Sequence, residues 1–82
     1  MTQRTVLVES SLEATPAALF VQTASNYSSS IQVKIGTKTV NAKSIMGMIS
    51  LGVLDGQEIT IIADGADEED AINGLANFLT TI

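Results

Sequence analysis

Five consecutive residues, Ile31-Gln32-Val33-Lys34-Ile35, alternate strictly between apolar and polar. Successive side chains of a β-strand point to opposite faces, so this segment demands a sheet with one face covered and the other wet. Gly36-Thr37 follows at once, and with glycine first the pair suits a type II′ hairpin turn. Lys38-Thr39-Val40-Asn41 then reads as the returning strand. Two further β-branched runs, Thr5-Val6-Leu7-Val8 and Glu58-Ile59-Thr60-Ile61-Ile62-Ala63, bring the strands to four.

The segments between them read as helices and loops. Glu9 to Thr15 is polar and uneven, which predicts a loop. Pro16 suits the first turn of a helix, where a missing N–H costs nothing. The helix over Ala17 to Ser25 puts Ala17, Phe20, Val21 and Ala24 on one face. Ser28-Ser29-Ser30 reads as a short polar connection. Ser44 is placed to cap a short helix over Ile45 to Leu51, and Gly52 and Asp55-Gly56 punctuate its end. Asp64-Gly65 turns the chain into a last helix. Its first turn carries Asp67-Glu68-Glu69-Asp70, where the helix dipole favours negative charge. Ala71, Ile72, Leu75, Phe78, Leu79 and Ile82 recur at helical spacing and should face the core. The order is β-α-β-β-α-β-α. The expected fold is an α+β open-faced two-layer sandwich, one domain over residues 1–82, with a four-stranded, mostly antiparallel sheet and three helices on one face.

Composition removes several classes of function. The 82 residues contain no histidine and no cysteine. That takes away the commonest general base, the commonest zinc ligand and any thiol nucleophile, so no metal, no cofactor and no enzymatic activity are expected. Four basic residues stand against nine acids, a net charge of −5. Such a chain repels phosphate backbones, so direct nucleic-acid binding is not expected. No apolar run approaches the roughly 18 residues of a membrane span, and the first residues lack a signal-peptide core. The reading is a cytoplasmic protein with no membrane contact.

Two motifs go beyond fold class. Leu12-Glu13-Ala14-Thr15-Pro16-Ala17-Ala18-Leu19-Phe20-Val21-Gln22 resembles the active-centre segment of HPr, the histidine-containing phosphocarrier of the sugar phosphotransferase system. Val40-Asn41-Ala42-Lys43-Ser44-Ile45-Met46-Gly47 resembles that family's regulatory serine motif. Gly56 to Gly65 and the acidic start of the last helix follow the same pattern, and the family's fold is the sandwich read above.

The departures from the pattern carry the functional argument. The family's active centre reads Gly-(Leu/Ile)-His-Ala-Arg-Pro-Ala, whereas this chain has Ser11-Leu12-Glu13-Ala14-Thr15-Pro16-Ala17. Glu13 replaces the phosphorylated imidazole. A carboxylate is a weaker nucleophile and repels an incoming phosphoryl group, and acyl phosphates form where metal ions neutralise charge. Thr15 replaces the arginine that would take a phosphate bidentately. Phosphoryl carriage is therefore expected to be lost. In this respect the chain is similar to the catabolite-repression HPr-like proteins (Crh), which lack the histidine and keep the serine motif.

The resemblance implies phosphorylation of Ser44 by HPr kinase/phosphorylase, and then binding to a catabolite control protein, a LacI-type regulator. Phospho-Ser44 would meet partner arginine or lysine, with Ile45, Met46 and Met48 as the apolar anchor and Lys43, Glu13 and Thr15 alongside. Ser44 as a plain helix cap is compatible with that role, since a phosphate there meets free N–H groups. Ile45, Met48 and Ile49 are also candidates for the core, because a short helix cannot turn the whole Ile45, Met46, Met48, Ile49 cluster outward or inward. The alternatives for Glu13 are a solvated loop carboxylate, a fixed mimic of phosphohistidine in a constitutive binding module, or an acceptor of phosphate from enzyme I in a true phosphocarrier.

Overall fold

The computed structural model describes residues 1–8, 14–51 and 57–81, with side chains over 1–8, 17–51 and 57–79. Along the chain come β1 (Thr2–Leu7), α1 (Ala14–Ser25), β2 (Ser30–Ile35), β3 (Lys38–Asn41), α2 (Ile45–Leu51), β4 (Glu58–Asp64) and α3 (Glu68–Thr81). The strands form one sheet in the order β1-β4-β2-β3, antiparallel at every pairing.

The alternation in sequence is the alternation in burial. Ile31 and Val33 of β2 are buried while Gln32 and Lys34 are exposed. In β4, Ile59, Ile61 and Ala63 are buried. Register places Ile31 beside Ala63 and Val33 beside Ile61, so the apolar residues of neighbouring strands share one face. The helices cover that face. α3 packs on β1 and β4, α2 packs on β3, and α1 packs on α2 and α3. From α1, Ala17, Phe20 and Ala24 are buried, and from α3, Ala71, Ile72, Leu75, Ala76 and Leu79. The rings of Phe20 and Phe78 meet edge to face, centroids 5.7 Å apart and planes at 64°.

Gly36 has φ +58° and Thr37 keeps a negative φ, the combination of a type II′ turn. Other boundaries differ from the sequence reading. β1 starts at Thr2 rather than Thr5, because the seven-residue β4 supplies partners back to Ala63 for polar residues with no alternation of their own. α1 starts at Ala14, two residues before Pro16. Proline still lies in the first turn, where a backbone N–H would have no helical acceptor and its absence costs nothing. Glu9 to Glu13, Gly52, Asp55-Gly56 and Ile82 lie outside the described residues.

Two features read as featureless in sequence are structural joints. Ser29, expected as simple connection, is 1% exposed and is the one buried polar side chain among the described residues. Asp67, expected inside the last helix, sits just before it, and its carboxylate reaches back across 38 positions to the serines. It accepts the Ser28 and Ser29 backbone N–H groups, each at 2.9 Å, and the Ser29 hydroxyl. The close approach needs Gly65, since a Cβ there would lie 2.7 Å from the Ser29 Cα. Beside it Glu68 accepts the Thr2 hydroxyl and the Gly65 N–H, and lies 3.1 Å from the Met1 amino group.

These donors hold both carboxyls far below their ordinary range. Asp67 falls from 3.8 to about 2, chiefly through the Ser29 hydroxyl and then the Ser28 N–H. Glu68 falls from 4.5 to about 2, chiefly through Thr2 and then Gly65. A carboxyl with a depressed folded-state pKa contributes stability above its ordinary pKa and loses it as pH falls through the depressed value. Urea denaturation midpoints should therefore drop between about pH 4.5 and pH 2, and Asp67→Asn should make that drop shallower. An acid limb of unchanged steepness in the variant would refute the assignment to Asp67.

Candidate functional site

The serine motif is built by the turn that leaves β3. The Ala42 N–H donates to the Ile31 carbonyl at 3.0 Å, holding the end of β3 against β2. Asn41 then reverses the chain: its side-chain oxygen accepts the Lys43 N–H at 2.8 Å, and its carbonyl accepts the Ser44 N–H at 3.0 Å. Ser44 opens α2 as its cap. Its carbonyl accepts the Met48 N–H at 3.0 Å, and its hydroxyl oxygen accepts the Gly47 N–H at 3.2 Å. Ser44 is half-buried, neither sealed in the core nor fully exposed, and its hydroxyl is held by this bond. Gly47 leaves the space over it open, for a Cβ there would stand 3.4 Å from both the Ser44 Oγ and the Val40 Cβ.

α2 divides its apolar residues between core and solvent. Met48 and Leu51, three apart and on one face, are buried. Ile45 is at the edge of exposure, Met46 is 74% exposed and Ile49 47% exposed. This corrects the expected anchor: Met48, at 1% exposure, belongs to the core and presents nothing to a partner. Ile49, a candidate for the core, is instead on the surface. Leu19 of α1 is also about half exposed, on a helix that packs against α2. The sequence reading overlooked it, although it falls one residue off the Ala17-Phe20-Ala24 stripe, a rotation of about 100°.

Lys43 is half-buried, and its ammonium donates to the Tyr27 carbonyl at 2.8 Å. It is thus engaged within the chain, beside the site, rather than extended into solvent. Tyr27 in turn packs against the core and lies on Gly74 of α3. Thr15 lies in the first turn of α1, with its side chain outside the described residues, and Glu13 lies outside them altogether.

An open depression of about 430 Å³ lies at the start of α3, lined by Gly65 to Asp70, and is remote in sequence from the serine motif. Among the described residues, no group of three or more acidic, histidine or cysteine side chains is arranged to hold a metal ion. Among them too, no helix is long and apolar enough to cross a membrane.

Comparison with known proteins places this geometry. Residues 2–81 match the protein family described as PTS HPr component phosphorylation site. The phosphocarrier protein HPr of Bacillus anthracis is 44% identical, with 96% of each chain covered and a TM-score of 0.92. HPr-C-His from Thermoanaerobacter tengcongensis is 49% identical over 96% of this chain and 91% of its own, with a TM-score of 0.89. Crh, the catabolite repression HPr of Bacillus subtilis, is 42% identical over 99% of both chains, with a TM-score of 0.73.

The division of α2 can be measured directly. Met48→Ala should destabilise the fold by about 2–5 kcal/mol, as expected for a core truncation. Met46→Ala should stay within about 0.5 kcal/mol of the parent, as for an exposed site. Equal losses in urea denaturation would contradict the assigned orientation of the helix.

Proposed function

The chain belongs to the HPr family, and from that premise we propose that it is a regulatory member switched by phosphorylation of Ser44, not a phosphocarrier and not an enzyme. The observation that carries this reading is the Ser44 hydroxyl: borne by a half-buried residue, fixed by the Gly47 N–H and framed by the Asn41 turn, in a chain of 82 residues with no histidine. HPr kinase/phosphorylase is the modifying enzyme. The Ser44 oxygen forms a bond to the γ-phosphorus of ATP, the bond to the ADP oxygen breaks, and the hydroxyl proton passes to the kinase. The product carries about 1.5 to 2 additional negative charges on a chain whose net charge is already −5.

Recognition of the modified form follows from what surrounds Ser44. The phosphate offers three acceptor oxygens to arginine or lysine of a partner, and the exposed Ile45, Met46 and Ile49 offer an adaptable apolar contact beside it. A catabolite control protein of the LacI type is the partner that the family and the likeness to Crh suggest. DNA contact then belongs to that partner, which accords with the net charge of −5 here. Glu13 in place of an imidazole and Thr15 in place of a guanidinium argue against acceptance of phosphate from enzyme I. The protein acts in the cytoplasm, where ATP and the kinase are found.

Mass spectrometry after incubation with HPr kinase and ATP should show one added phosphate, absent in Ser44→Ala; label persisting in that variant would exclude Ser44 as the acceptor. Incubation with enzyme I and phosphoenolpyruvate should leave the chain unmodified. A hydroxylamine-labile adduct at Glu13 would instead make it a phosphocarrier.

A further inference from the structure

The ammonium of Lys43 has an acceptor inside the chain, the Tyr27 carbonyl at 2.8 Å, and a modifiable hydroxyl on the next residue. We propose that Lys43 is a two-position latch: it holds the Tyr27 carbonyl while Ser44 is unmodified, and transfers to the phosphate when Ser44 is phosphorylated, releasing the turn after α1. The proposal rests on phosphorylation of Ser44 as proposed above, and concerns what the phosphate does to the molecule that carries it.

The two acceptors are unequal. Tyr27 offers a neutral carbonyl, whereas a phosphoserine offers oxygens bearing between one and two full charges. Lysine is a compact charge on a flexible four-carbon stem, so it can exchange one acceptor for the other without backbone movement. Consecutive Cα atoms lie about 3.8 Å apart, well within the sweep of that stem. The carbonyl left behind lies in a loop that water can reach, since Ser28, next to it, is exposed. Among the described residues Lys43 forms no ion pair: the ion pairs there join the Met1 amino group to Asp64 and Glu68, and the Asp67 carboxylate is occupied by Ser28 and Ser29.

The segment so released is a junction. The Tyr27 side chain lies on Gly74, where a Cβ would collide with the tyrosine hydroxyl, and Ser28 and Ser29 are bound to Asp67 at the start of α3. Lys43 therefore ties the modified turn to α3 through residues 27–29, and a change at Ser44 is felt on the far side of α1. By the same geometry Lys43 acts on the phosphate from within the chain and is not a contact for the partner.

The test is amide NMR on the full chain with phosphoserine installed at position 44 during translation, which makes the outcome independent of any kinase. Compared with the unmodified chain, the resonances of Asn26, Tyr27 and Ser28 should shift along with those of residues 43–47. In Lys43→Met the unmodified chain should already show the shifted Tyr27 region, and phosphoserine should move only residues 43–47. Lys43→Arg, which keeps the charge, should retain the coupled response. Resonances at 26–28 that stay still on modification of the parent, or that move equally in Lys43→Met, would overturn the latch. Failure of HPr kinase to modify Ser44 would instead overturn the proposed function and leave the installed-phosphoserine result standing.

Discussion

β4 is the strand on which the rest of the molecule is assembled. It pairs with β1 on one side and β2 on the other, and its Ile59, Ile61 and Ala63 form the floor of the core. A chain of 82 residues can fill one apolar layer, so burial of a single sheet face is the constraint that every helix answers. α3 lies over β1 and β4 and α2 over β3, with α1 closing the space between the two helices. The outer face remains wet, carrying Gln32, Lys34 and the cross-strand pair Thr5–Thr60 at 2.9 Å.

Apolar burial does not by itself hold the loops in place, since transfer from water has no direction. Directional polar bonds do that here, and they concentrate between α1 and β2. Asp67 gathers Ser28 and Ser29, and Lys43 gathers Tyr27. Three consecutive residues thereby join the turn before α2 to the start and middle of α3. Each bond involves an ionised group, which makes it stronger than a neutral pair and sensitive to changes of charge nearby. The serine motif is thus built on a turn already tied into the fold.

The functional consequence is a division of labour around α2. The helix commits Met48 and Leu51 to the core and leaves Ile45, Met46 and Ile49 outside. Its cap is a hydroxyl that completes the helix, borne by a residue that is only half-buried. A group with these two properties can gain charge without the fold being rebuilt around it. With no histidine among the 82 residues, the family's imidazole acceptor is absent from this chain.

Much of this was legible in the chain itself. The order of elements, the II′ turn at Gly36-Thr37, the cap at Ser44 and the buried stripes of α1 and α3 follow from neighbouring residues, because period and capping are local properties. The serine motif and the replaced active centre were likewise visible as contiguous residues, and Glu13 remains known from sequence alone. What the tertiary structure decided depends on surfaces that meet across long separations. Which of Met46 and Met48 is buried is set by where β3 and α1 lie, not by the composition of α2. The grip of Asp67 on Ser29 spans 38 positions and that of Lys43 on Tyr27 spans 16. No local pattern marks either partner, because the bonds exist only once the packed sheet and helices bring them within reach.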